Sequence, residues 1–151
     1  MYKPGFLFDR TPAERTDPLL FWQREDQAFF AAGACHILAE MFRQLHQGED
    51  FHIIFMKAKE GYPGAHVYIR YGEWIFDHNG WTLEQEMIDT VRAGFRERYP
   101  GWDFDQTIIQ EDLETFCRKN NHRLPSEYAH LPWERADRYI KKFPNRPPAQ
   151  A

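Results

Sequence analysis

The sequence predicts an α+β domain with an antiparallel sheet, and three observations point to it. Ile37, Leu38, Met41, Phe42 and Leu45 follow a helical period, as do later stretches of the chain. Segments 51–58, 65–71 and 73–79 are β-rich and punctuated by turn residues. The order is helices, three strands, a helix, a strand and helices, with no internal repeat or linker.

Each element has a local reason. Residues 1–16 contain Pro4, Gly5 and Pro12 and show no period, so they read as an extended arm. Asp17-Pro18 supplies a cap with proline at the first helical position and opens a helical segment through Leu19, Leu20 and Trp22. The next helix begins near Cys35 and is stopped by Gln47-Gly48. FHIIFMKA (51–58) is a strand bounded by the turn-like KEGYPG, after which AHVYIRY and EWIFDHN flank Gly72 as a hairpin. Thr82-Leu83-Glu84-Gln85 has capping-box spacing and starts a helix running to about Arg98, closed by Pro100-Gly101. WDFDQTIIQ (102–110) is a fourth strand, and 111–120 and 132–143 read as helices. The expected division is an arm at 1–16, a single domain at 17–143 and a flexible tail at 144–151.

Composition narrows the function classes. At 151 residues the chain suits one domain with one core. Its 17% aromatic content is high, and core packing accounts for most of Trp22, Trp81, Trp102 and Trp133, although they could also line a groove. The net charge is -4 with no block of Lys or Arg, so a nucleic-acid partner is not expected. MYKPGFLFDRTPAER lacks a signal-peptide apolar region and no run reaches a membrane span, so the expectation is a cytoplasmic protein with no membrane partner. Cys35 and Cys117 are then free thiols. Cys117, beside Leu113 and Phe116 at helical spacing, reads as core.

Cys35 is different because Gly33 lies just before it. A cysteine in the first turn of a helix meets unsatisfied N–H groups and the positive dipole end, which favour the thiolate. A nucleophile also needs a base, and the base an orienting partner. If Tyr71-Gly72 is a two-residue loop, Arg70 faces Glu73, Tyr68 faces Ile75 and His66 faces Asp77 across the hairpin. The His66–Asp77 face should then point at the start of the Cys35 helix, while Val67, Ile69, Trp74 and Phe76 pack on the other. A bulged turn would shift the register by one and present His78 or Phe76 instead.

This set, Cys35 opening a helix, His66 on a strand and Asp77 on the next strand, resembles the papain-like superfamily in its transglutaminase-like branch, which includes arylamine N-acetyltransferases. The resemblance spans residues 33–80. It implies a papain-like or transglutaminase-like fold with the catalytic-type helix packed on the sheet, a nucleophile at Cys35, a general base at His66 and an orienting carboxylate at Asp77. Asn79 is the substitute for Asp77. Acyl-enzyme chemistry on a protein, peptide or small amide or ester would follow, most simply hydrolysis of an amide or isopeptide bond, with no cofactor. His36 stands where an aromatic residue often follows the nucleophile. Gln27 and Gln23 are the candidates for an upstream oxyanion-hole glutamine.

Other readings stand beside this one. If residues 18–46 formed one unbroken helix, Cys35 would be an ordinary buried thiol. His36, His52 and His78 show no zinc-motif spacing with Cys35, so no metal is expected. A non-catalytic binding or regulatory protein on the same fold, and a deamidase or toxin-like effector using the same three residues, are the alternatives. Oligomeric state is left open.

Overall fold

The computed structural model describes residues 1–148; the last three residues of the expected tail lie outside the described residues. Five antiparallel strands form one sheet in the order β4-β3-β2-β1-β5: β1 His52–Ala58, β2 Ala65–Tyr71, β3 Trp74–Asp77, β4 Gly80–Leu83 and β5 Phe104–Ile108. Helices α1 Pro12–Thr16, α2 Pro18–Trp22, α3 Asp26–Ala31 and α4 Cys35–Leu45 precede it, α5 Glu84–Arg98 links β4 to β5, and α6 Leu113–Asn120 and α7 Trp133–Ile140 follow. None of the described helices is long and apolar enough to cross a membrane.

Both faces of the sheet are covered, so β2 has the burial of a central strand rather than a strict alternation. Val67, Ile69 and Phe76 pack against Ile37 and Phe42 of α4, with Phe21, Phe29, Phe30 and Tyr139 around them. Tyr68 and Ile75 pack on the opposite face against Met87 and Val91 of α5. Trp102 is fully buried there, stacked on Phe95 at 4.6 Å. Trp22, Trp81 and Trp133 are half-buried against the other cluster, so these three serve packing.

The hairpin register departs from expectation by two. Tyr71 pairs with Trp74, Arg70 with Ile75 and Ile69 with Phe76. The loop is Gly72–Glu73, with Gly72 at φ +60°. A II′-type turn requires its glycine first of the two central residues, which excludes Tyr71 from the loop. A shift of two conserves the face of every side chain, whereas a shift of one would have inverted them. His66 and Asp77 therefore still share a face, as diagonal rather than direct neighbours.

Three further differences concern local signals. Residues 80–83 form an edge strand pairing with β3, Asp77 against Gly80 and Phe76 against Trp81. Thr82 thus belongs to β4, and Leu83 caps α5 without a side-chain bond. The helical segment after Asp17-Pro18 is divided into α2 and α3. The 1–16 arm is not extended: it holds a 3-10 turn at Gly5–Phe8 and α1, which Thr11 and Glu14 start with a reciprocal capping box. It is also pinned down. Asn79 and Lys3 exchange two hydrogen bonds, Arg24 Nη1 donates to the Phe8 carbonyl at 2.7 Å, and Phe6 packs on Phe95. At the other end Trp81 Nε1 donates to the Pro144 carbonyl and Arg146 pairs with Glu49, which ties the beginning of the expected tail to the domain.

Candidate active site

Cys35 is the first residue of α4. Helix α3 ends at Ala31, Gly33 takes φ +121°, Ala34 is the N-cap, and Leu38 N–H makes the first helical bond, to the Ala34 carbonyl. The unbroken-helix alternative is therefore excluded. Alanine offers no side-chain acceptor, so the first-turn amides are uncapped and face whatever lies before the helix. The break is held from outside, because Tyr128 Oη donates to the Gly33 carbonyl at 2.6 Å. A Cβ on Gly33 would stand 2.7 Å from Phe21 Cζ, in a backbone conformation that disfavours any side chain. Gly33→Ala should cost about 2 kcal/mol or more in urea unfolding. An unchanged unfolding midpoint would show that the break does not depend on this glycine.

His66 and Asp77 point from the face that α5 covers, not from the α4 face as expected. They meet Cys35 at the end of the sheet instead, where β2 begins, β3 ends and α4 starts. His66 Nε2 lies 2.8 Å from Asp77 Oδ2, and both residues are buried. With Nε2 engaged by the carboxylate, Nδ1 is the nitrogen left for the thiol. Burial pushes the Cys35 thiol up, but hydrogen bonds and charge from His36 and His66 outweigh it and hold the thiol well below its ordinary value. Burial pushes His66 down, yet the hydrogen bond to Asp77 and the contact with Cys35 raise it to about 9. Thiolate and imidazolium thus favour each other, with the carboxylate behind them.

Asp77 is among the most buried charged groups of the chain. Burial disfavours its charge, while His78, His66 and Tyr2 overcome that and keep it well below the usual carboxylate range. Tyr2 Oη donates to Oδ2 at 2.6 Å and the Asn79 amide donates to Oδ1 at 2.8 Å. Asn79 does not replace Asp77; it caps the carboxylate through its backbone and anchors Lys3 through its side chain. Gln27 Nε2 donates to the His78 carbonyl at 3.4 Å. Gln23 caps the end of α2. Cys117 is buried in α6 beside the Arg123 carbonyl.

Tyr2, His36 and His78 carry more of the site than their spacing suggested. His36 Nε2 donates to the Arg123 carbonyl at 2.8 Å, and burial notwithstanding, the neighbouring thiols and that carbonyl raise His36 to about 9. His78 is fully buried, which pushes it down, and it donates from Nε2 to the Lys3 carbonyl at 2.7 Å. Ligand-type atoms of His66, Asp77 and His78 lie within 4.8 Å of one another, a spacing a metal ion could use. Asp77 Oδ2 already accepts from Tyr2 and His66, and Oδ1 from the Asn79 amide.

The thiol opens onto a cleft of about 930 Å³. Its wall includes Tyr2, Cys35, His36 and His66, the apolar Phe6, Phe95 and Trp102, and the charged Arg10, Arg15, Arg98, Arg123, Asp9, Glu97 and Glu127. No protein-family model, curated protein or solved structure matches the chain.

Proposed function

We propose that the protein is a cysteine-dependent acyl-transfer enzyme of papain-like or transglutaminase-like design, acting most simply as a hydrolase of amide or isopeptide bonds. The observation that carries this reading is His66, hydrogen-bonded to buried Asp77, lining one cleft with a thiol at the first residue of an eleven-residue helix. The Cys35 sulfur attacks the substrate carbonyl carbon, and the resulting oxyanion faces the uncapped first-turn amides of α4. His66 gives its proton to the leaving nitrogen as the C–N bond breaks, leaving a thioester on Cys35. It then takes a proton from water, whose oxygen attacks the thioester, and returns that proton to the sulfur or keeps it as imidazolium. Asp77 retains its charge throughout and orients the ring. A deamidase would use the same steps with ammonia leaving.

An activated ester tests this directly. Incubation with p-nitrophenyl acetate should release a burst of nitrophenolate and leave an acetyl group on the peptide containing Cys35. Cys35→Ser should lose both and Cys117→Ser should keep both. An acetyl adduct absent from Cys35, or equally present on Cys117, rejects the nucleophile assignment and leaves a non-catalytic binding protein as the better reading.

A further inference from the structure

The arginines of this chain divide in an informative way. Arg24, Arg70, Arg92 and Arg135 are buried or half-buried, and each pairs with a carboxylate: Glu14, Glu84, Asp103 and Asp26 respectively. Arg10 and Arg123 are half-buried too, but neither has a carboxylate partner among the described residues. Both line the Cys35 cleft. A guanidinium withdrawn from water without an acceptor is costly, and Arg123 Nη1 is buried with no hydrogen-bond partner among the described residues.

Both guanidiniums rest against the same aromatic ring. The Arg10 guanidinium carbon lies 5.1 Å from the Phe21 ring centre and that of Arg123 lies 5.3 Å from the same centre. Arg123 is also 5.4 Å from the Tyr128 ring. Burial, then the charges of Arg123 and Arg15, lower Arg10 from its ordinary value, as expected for a cation with other cations nearby. The pair adjoins the nucleophile. Arg10 Cζ is 3.4 Å from where a Gly33 Cβ would sit, two residues before Cys35, and the Arg123 carbonyl is bonded to His36. The uncapped amides of α4 begin at the same point. The acidic members of the wall are otherwise placed: Asp9, Glu97 and Glu127 are exposed, and Glu127 accepts from the Leu124 amide at 2.7 Å.

We infer that Arg10 and Arg123 form a subsite for an oxyanion of the substrate, a carboxylate or a phosphate, on the Gly33 side of the Cys35 cleft. The substrate class is therefore an amide or ester that carries a negative group near its scissile carbonyl. This assignment rests on the proposed role of Cys35, but its test can be read separately.

The test compares alkylation of Cys35 by iodoacetate and by iodoacetamide in the full chain, with mass spectrometry locating the label. Both reagents react with the same thiolate, so the ratio of their rates cancels thiolate fraction and reports the local preference for an anion. Arg10→Gln and Arg123→Gln should each lower the iodoacetate-to-iodoacetamide ratio about fivefold, and Arg10→Lys, which keeps the charge, should restore it. Sodium phosphate or sodium acetate, balanced with sodium chloride to constant ionic strength, should protect Cys35 from iodoacetate. Protection by phosphate alone or acetate alone identifies the group, and protection by both leaves the shared oxyanion chemistry as the specificity. A ratio unchanged in both glutamine variants, or protection no better than chloride gives, overturns the subsite. Failure of the Cys–His pair has a different signature: the iodoacetamide rate becomes independent of His66, while the ratio remains measurable at alkaline pH.

Discussion

Near pH 6.5, replacing His66 with alanine should slow iodoacetamide labelling of Cys35 about tenfold and reduce turnover of p-nitrophenyl acetate by about 10²-fold or more. An unperturbed thiol, with pKa about 8.5, is only about 1% thiolate at that pH. A thiol held well below its ordinary value gains most of that factor, less the lower nucleophilicity of a weaker base, so the net advantage is nearer tenfold than a hundredfold. The wild-type protein should accordingly label Cys35 well ahead of buried Cys117. His36 also holds the thiol down, so His36→Asn should shift the labelling profile to higher pH as well. The two histidines separate at deacylation, which needs a base beside the thioester oriented by a carboxylate. Only His66 has that partner, so only His66→Ala should prolong the acetyl-enzyme beyond its lifetime in the wild type. Far-UV circular dichroism and the unfolding midpoint establish that each variant is folded. Equal labelling of Cys35 in wild type and a folded His66→Ala protein contradicts the pair and the catalytic reading together.

How much of this site was legible before the structure depends on the range of each signal. The start of α4 was readable because Gly33 and the apolar period from Ile37 are local features. The union of His66 and Asp77 survived an incorrect loop because strand parity, not register, decides which face a side chain takes. The loop is Gly72–Glu73 rather than Tyr71-Gly72 because glycine belongs first in a II′ loop. Residues 80–83 were hidden because a short edge strand has too few positions to show alternation, and Thr82 and Gln85 imitate a capping box. Tyr2, Arg10 and Arg123 left no pattern at all. Tyr2 reaches Asp77 across 75 positions, and Arg10 meets Arg123 through the shared ring of Phe21. Contacts made by single residues over such separations have no period, cap or spacing to announce them.

Asp77→Asn should remove the imidazolium while leaving the shape of the site. Asparagine can still accept from the Asn79 amide and from one further donor, but it carries no charge. The first of the interactions raising His66 is its hydrogen bond to Asp77, and the only large opposing influence is burial. The His66 ring should therefore titrate near 9 in the wild type and lower in the variant, where burial still pushes it down and Cys35 alone still raises it, as read from its Cε1–H resonance. Stability follows with a definite sign. Because the folded value of His66 is raised, its contribution is fully present below about pH 6.5 and is lost as the pH rises through about 9. Cys35, whose folded value is depressed, acts oppositely, contributing above its ordinary thiol value and losing that contribution as the pH falls through its folded one. The comparison is therefore made in Cys35→Ala with and without Asp77→Asn. Urea stability should fall as the pH rises above about 6.5 in the first protein, where Asp77 still raises His66, with His66 supplying at most about 1.4 kcal/mol per pH unit, and fall less steeply in the second. His36, raised by Cys117 and the Arg123 carbonyl in both proteins, contributes to both and drops out of the difference. Parallel stability curves, or a His66 resonance still titrating near 9 in Asp77→Asn, would show that the carboxylate does not set the charge of the proposed base.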